Sequence, residues 1–136
     1  MRVCLDTNVL IAALATRGLC ADVLRTVLAE HELVIGEVIV AELRRVLTAK
    51  FKVPPDRIAA IEAIFDPFPV LPKPAAPSDI LVHDPSDRWI LATAVAGKAE
   101  VLVTGDEDLL AVAGDSPIRI LAPRAFWELL RQPPTG

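Results

Sequence analysis

Residues 2–15 read RVCLDTNVLIAALA. Ten of these fourteen residues are apolar, yet Asp6, Thr7 and Asn8 stand in the middle. Val3, Cys4 and Leu5 read as a buried strand, and Val9 to Ala15 as a buried helix. Asp6 therefore falls at a strand-to-helix junction where water is scarce. Burying an unpaired charge costs roughly several kcal/mol, so something must offset it.

The same alternation continues outward from this stretch. Helical pattern covers 8–15 and 19–30, and Glu32 to Ile35 is a short strand candidate. A helix is expected over 37–50 and another over 55–65, where Pro55 suits a first helical position. FPVLP, residues 68–72, gives a short strand, and KPAAPSD, residues 73–79, a loop. SDRWILATAVAG, residues 86–97, is helical and stops at Gly97. EVLVTG and PIRIL, residues 100–105 and 117–121, are strands, and PRAFWELLRQ, residues 123–132, is a closing helix. Strands that read as apolar runs, spaced by helices, imply an α/β fold with a mainly parallel sheet covered on both faces. The expected organisation is one domain over residues 1–132, with 133–136 a loose tail.

Length and composition narrow the function classes. A chain of 136 residues, 53% hydrophobic, holds a sizeable core and is not disordered. No apolar run reaches the roughly 18 residues of a membrane span, and the N-terminus lacks a signal-peptide layout. A soluble cytoplasmic protein is expected. The two cysteines, Cys4 and Cys20, have no histidine near them, which makes a poor zinc site; free thiols are expected rather than a disulfide. A net charge of −4 argues against holding nucleic acid by bulk electrostatics.

Four carboxylates recur at comparable places. Asp6 ends the first strand. Glu42 lies one turn from Ile39 and from Val46, at the border of the face formed by Ile39, Leu43, Val46 and Leu47. Taken alone, an exposed helix-edge glutamate explains it better. Asp84 is a good N-cap with Pro85 after it. Asp87 then opens the inward stripe Ile90, Leu91, Ala94 and Val95. A favourable dipole position explains an acid in that turn, but not its inward direction. Asp106 follows a buried strand and Gly105, and capping the short helix from Glu107 explains it equally. Asp108, inside that helix, is the less favoured inward member. Together the four would repel one another and raise their own pKa values. A hard divalent cation, Mg²⁺ or Mn²⁺, relieves this and accepts phosphate oxygens. The implied chemistry is metal-assisted phosphodiester hydrolysis. His31 and His83 are isolated and expected at the surface.

LDTNVLIAAL, the helix bearing Glu42, DPSDRWILATAVAGKAEVLVTGDEDLL and PRAFWELL together resemble a PIN domain. The likeness covers nearly the whole chain, and it is strongest to the toxin-type branch similar to VapC ribonucleases of toxin–antitoxin pairs. It implies a three-layer α/β/α fold and a metal-dependent ribonuclease acting on single-stranded RNA. It also implies a homodimer and an antitoxin whose tail occupies the acidic groove. Carried over, Asp6, Glu42, Asp87 and Asp106 match the acidic quartet, Asn8 and Thr104 match supporting polar positions, and Asp84 falls in an acid-rich stretch near the site. Asp6 and Asp106 are expected to touch Mg²⁺ or Mn²⁺, with Glu42 and Asp87 completing the shell or orienting water. Two departures stand out. Arg88 occupies a place where many relatives have Asn, and Gly36-Glu37 leads into the helix of the second acid where many have Ser or Thr. Glu37 is thus the rival to Glu42, although Glu42 fits the family spacing better.

If RNA is the substrate, Arg17, Arg44 and Arg45, with Lys50 and Lys52, are candidates for phosphate contacts; a solvated helix face explains the last four equally. Six aromatic residues and no Tyr make base stacking a poor general reader of sequence. Trp89 lies off the Ile90/Leu91 face, and packing in the core or at an interface is favoured for it over contact with RNA. Three other classes share an acid after the first strand or the same fold. A haloacid-dehalogenase-type phosphatase wants a second Asp where Asn8 stands. A phosphoacceptor receiver wants a Lys after a late strand, and VTGDEDLL has none. A non-catalytic RNA-binding or scaffold module on the same fold is separated from the enzyme by a metal-binding measurement.

Overall fold

A computed structural model of the chain describes residues 1–132; the expected loose tail, 133–136, lies outside them. The elements follow the alternation in the sequence: β1 (Arg2–Leu5), α1 (Thr7–Ala15), α2 (Leu19–Glu30), β2 (Glu32–Gly36), α3 (Glu37–Ala49), α4 (Pro55–Ala63), β3 (Val70–Leu71), α5 (Pro85–Ala96), β4 (Val101–Val103), α6 (Glu107–Ala111), β5 (Arg119–Leu121) and α7 (Pro123–Arg131). A single 3₁₀ turn, Ala113–Asp115, precedes β5.

The five strands are all parallel, in the order β3-β2-β1-β4-β5. β1 is central. Cys4 lies between Val34 of β2 and Leu102 of β4, and Val3, Cys4 and Leu5 are buried. This is why the strand reads as an unbroken apolar run: helices flank the sheet and leave neither face to water. Strand order reverses between β1 and β4, and in open parallel sheets ligands bind at such a point, beyond the carboxyl ends of the strands. The ladder extends past both ends there. Asp6 N–H donates to the Val103 carbonyl at 2.9 Å, and Thr104 N–H to that of Leu121 at 3.0 Å.

The helices form where pattern and caps coincide. α3 buries Ile39, Leu43 and Leu47, spaced one turn apart. α5 starts at Pro85, with Asp84 as N-cap accepting from Ser86 N–H at 3.0 Å. Its buried face differs from the expected stripe in one place: Thr93 is buried and Val95 is exposed. The reason is close packing of Thr93 on the end of β2. A Cβ at Gly36 would stand 2.6 Å from Thr93 Cγ2 and 3.3 Å from the Leu71 carbonyl oxygen. That explains glycine before α3 where relatives carry Ser or Thr. Gly97 makes a similar approach, since a Cβ there would meet Val34 Cγ1 at 2.3 Å.

Cys4 and Cys20 are free thiols, as expected. Among the described residues no single helix is long and apolar enough to cross a membrane. His31 is half-buried rather than exposed, because its Nδ1 lies 3.4 Å from the amino terminus.

The Gly36 contact has a measurable consequence. Gly36→Ala is expected to cost about 1–3 kcal/mol in urea unfolding, the usual penalty for overpacking. Adding Thr93→Ser, which removes the opposing methyl group, should recover part of it. An unchanged midpoint in Gly36→Ala would contradict the packing described.

Candidate metal centre

The site is built on both sides of the β1/β4 junction. Asp6 is 3% exposed, in extended backbone at φ −65° and ψ 156°, and caps α1. Its carboxylate is fully engaged. Oδ1 accepts from Thr7 N–H at 2.7 Å; Oδ2 accepts from the Thr104 hydroxyl at 2.7 Å and from Asn8 Nδ2 at 3.2 Å. Asn8 Oδ1 in turn accepts from Gly105 N–H at 3.1 Å, and Thr104 Oγ1 from Asp106 N–H at 3.0 Å. Asn8 and Thr104 thus lace the end of β1 to the end of β4. Neither strand pairing nor core packing requires these side chains, so the lacing fixes Asp6 and Asp106 against each other.

Asp106 caps α6, with Oδ1 accepting from Asp108 N–H at 2.8 Å. α5 then brings Asp87 in from its first turn. One carboxylate oxygen from each of Asp87, Asp106 and Asp108 lies within 4.8 Å of the other two. Asp87 Oδ2 is buried and has no hydrogen-bond partner; the Thr7 hydroxyl is the other such side-chain oxygen among the described residues. An orphaned carboxylate oxygen facing two further acids is an all-oxygen donor set, which fits a hard divalent cation.

The electrostatics agree. Burial first, and then the charges of Asp106 and Asp6, push the Asp87 carboxyl from 3.8 up to about 7. Asp6 is raised mainly by burial and also by Asp106, against the lowering effect of its Thr104, Thr7 and Asn8 hydrogen bonds. Glu42, half-buried on α3, is raised by burial first and then by Asp6, with Asp84 and Asp106 adding to it and Arg45 opposing. Asp84 is lowered by its hydrogen bonds to Ser86 and stays exposed at the helix start.

Of the four acids expected from the sequence, Asp87 and Asp106 stand within 4.8 Å of each other in a group completed by Asp108, while Asp6, expected to touch the metal, and Glu42 lie outside that group and are linked to it through their charges. Asp108, thought the less favoured inward member, joins Asp87 and Asp106. α6 has five residues, too few for periodicity to set a face, so no sequence signal placed it. Between Glu37 and Glu42, Glu42 feels the acidic cluster; Glu37 is exposed and accepts from Lys73 N–H at 3.1 Å. Of the basic candidates, Arg45 lies near Glu42, and Arg17 is exposed between α1 and α2. Arg44 is held away by a two-pronged pair with Glu62 on α4, both contacts at 2.8 Å. Arg88, the family departure, binds the Ser78 carbonyl through Nε at 2.8 Å while its own carbonyl accepts from Ser78 N–H at 3.0 Å.

A sequence profile of the PIN domain matches residues 2–108, a span that includes every acid of the cluster. The chain belongs to the PIN domain family. Solved structures agree on the fold. A chain of VapBC2 from Rickettsia felis, solved bound to a DNA fragment from its promoter, is 18% identical with a TM-score of 0.59, covering 89% of this chain and 97% of that one. FitAcB from Neisseria gonorrhoeae gives 19% identity and 0.58 over 90% and 98%. VapBC-1 from nontypeable Haemophilus influenzae gives 21% and 0.59 over 91% and 99%. No curated protein matches the chain. In this PIN domain the acids stand at the strand ends where the order of the sheet reverses, and Asp87, Asp106 and Asp108 are the candidate ligands of a divalent metal.

The raised carboxyl of Asp87 gives a pH test with a definite sign. Between about pH 4 and pH 7 the folded chain keeps a proton that the unfolded chain releases. Stability of the metal-free protein should therefore fall as pH rises through that window. Asp87→Asn should flatten this slope and stabilise the metal-free protein by about 2–4 kcal/mol at pH 8. Parallel thermal unfolding curves at pH 5 and pH 8 check it, and an identical pH slope in the two proteins would contradict it.

Proposed function

We propose that this PIN domain is a metal-dependent endoribonuclease, the toxin of a toxin–antitoxin pair, using Mg²⁺ or Mn²⁺ to hydrolyse RNA in the cytoplasm. One observation carries the reading: a buried, unpartnered carboxylate oxygen of Asp87 beside Asp106 and Asp108, at the point where the sheet reverses its strand order. A purely structural acid would be paired or exposed. Ionised, this one is stabilised by a cation.

Asp87, Asp106 and Asp108 would hold the metal, with Asp6 and Glu42 beside them. A bound Mg²⁺ or Mn²⁺ supplies a more acidic water and charge neutralisation at a phosphate oxygen. The residues of the chain do the rest. Asp6, fixed by three hydrogen bonds, holds the electrostatic frame. Glu42, raised and half-buried, is the group suited to accept a proton from the attacking water. Thr104 and Asn8 position Asp6 rather than touch substrate. The fold shared with chains of VapBC and FitAcB structures supports an antitoxin partner; a homodimer is proposed from the family resemblance alone.

Purified protein incubated with unstructured and structured RNA, with and without Mg²⁺ or Mn²⁺, tests the reading. Metal-dependent cleavage of the unstructured RNA is expected. Asp6→Asn and Asp87→Asn should each lower it by about 10- to 100-fold, the scale on which losing a group that orients or holds a metal acts. Equal cleavage by wild type and variants would overturn the site. RNA binding with no cleavage under any metal condition would leave a non-catalytic RNA-binding module in its place.

A further inference from the structure

A second feature adjoins the acids and shares Glu42 with them. A cleft of about 390 Å³ opens between the N-terminal half of α3 and the first turns of α5. Val38, Ala41 and the Trp89 indole give it apolar walls; Glu37 and Glu42 stand at its rim. Lys73, from the proline-rich segment after β3, also lines it, with Nζ 4.3 Å from the centroid of the indole ring. Because Glu42 also feels the charges of Asp6 and Asp106, the cleft and the acidic cluster share a wall.

From these contacts we infer that the Trp89–Lys73 cleft is a nucleotide subsite, which seats the base next to the scissile phosphate and favours bases bearing an amino group over uracil. The inference rests on the ribonuclease reading and deepens it. On a chain of net charge −4, phosphates beyond the one at the metal still meet the acidic surface, and a cation beside the cluster helps to hold them. Lys73 fits that role. Its backbone is anchored by Glu37 at 3.1 Å, and among the described residues no carboxylate forms an ion pair with its ammonium. The ammonium rests on the indole face, a contact of modest strength that an incoming base can replace by stacking. The lysine is then free to meet the phosphate.

The rim decides which base is preferred. An ionised carboxylate offers acceptors and no donor, so Glu37 and Glu42, which line the cleft, suit the amino groups of adenine, cytosine or guanine. Uracil has no amino group; its one edge donor, N3–H, is flanked by two carbonyl oxygens that the carboxylates repel, so it binds there less well. The proline-rich segment is pinned to α5 by the reciprocal Arg88–Ser78 hydrogen bonds. Arg88 is therefore a positioning residue, which ties to α5 the segment that carries Lys73.

The test reads Trp89 directly and needs no cleavage. The chain has two tryptophans, so Trp127→Phe leaves Trp89 as the reporter. Uncleavable 2′-O-methyl heptamers of A, C and U are titrated while fluorescence quenching and the anisotropy of a labelled oligonucleotide are followed. The A and C heptamers should quench Trp89, with U binding about fivefold or more weakly. Trp89→Ala should weaken anisotropy-detected binding of A by about tenfold, as loss of one stacked base does, and Trp89→Phe should restore much of it. Lys73→Ala should weaken all three heptamers alike. Binding by anisotropy without quenching, or equal binding of U, would overturn the subsite and leave the ribonuclease reading standing. Quenching by an arginine-bearing peptide but by no oligonucleotide would also overturn it and give the cleft to a protein segment. Absence of any RNA binding, together with absence of cleavage, would overturn both.

Discussion

Repulsion among carboxylates at the β1/β4 junction is the constraint on which the rest of the site depends. Asp87, Asp106 and Asp108 each place an oxygen within 4.8 Å of the others, with Asp6 and Glu42 close enough to raise or be raised by the group. Left to itself such a cluster would splay apart or take up protons. Here Asp87 answers the repulsion by holding its proton up to about pH 7, while neutral donors hold the neighbouring Asp6. Thr104 and Asn8 each bind Asp6 and also the backbone after β4, so Asp6 and the start of the Asp106 turn are fixed by groups that add no charge to compete with a cation. The apolar strands beneath, with Cys4 and Leu102 fully buried, form a floor that cannot relax to relieve the repulsion.

This arrangement separates stability from function. An uncompensated carboxylate at Asp87 works against folding whenever it is ionised, yet the same electrostatic cost makes a divalent cation favourable there. The glycines at the sheet's edge serve the same end. Gly36 lets Thr93 of α5 approach the end of β2, which draws the first turn of α5, and Asp87 with it, over the strand ends.

Much of this was legible in the sequence because it depends on local periodicity. The apolar runs VCL and VLV and the helices between them give a parallel sheet. An acid at the carboxyl end of a strand has a fixed address in such a sheet, so Asp6 and Asp106 were placed by position alone. Asp87 was placed by the stripe of Ile90, Leu91 and Ala94. What was not legible depends on contacts distant in the chain. Asp108 sits in a helix too short to have a face. Arg44 looked free for phosphate until α4 folded back and offered Glu62. Trp89 lay off the buried stripe, and Lys73, the residue that covers it, stands in a proline-rich loop without periodicity. Val95 was assigned to the core by spacing, but Thr93 took that place because Gly36 makes room for it.

Direct binding of Mn²⁺, followed by isothermal titration calorimetry at pH 7.5 with wild type, Asp87→Asn and Asp108→Asn, is the most direct examination of the acid cluster. The expected result is saturable binding to the wild type, weakened about 10-fold or more in each variant, as loss of a charged oxygen ligand from a hard-cation site gives. Equal Mn²⁺ affinity in all three proteins, or no binding to the wild type, would contradict the assignment of the cluster as a metal centre.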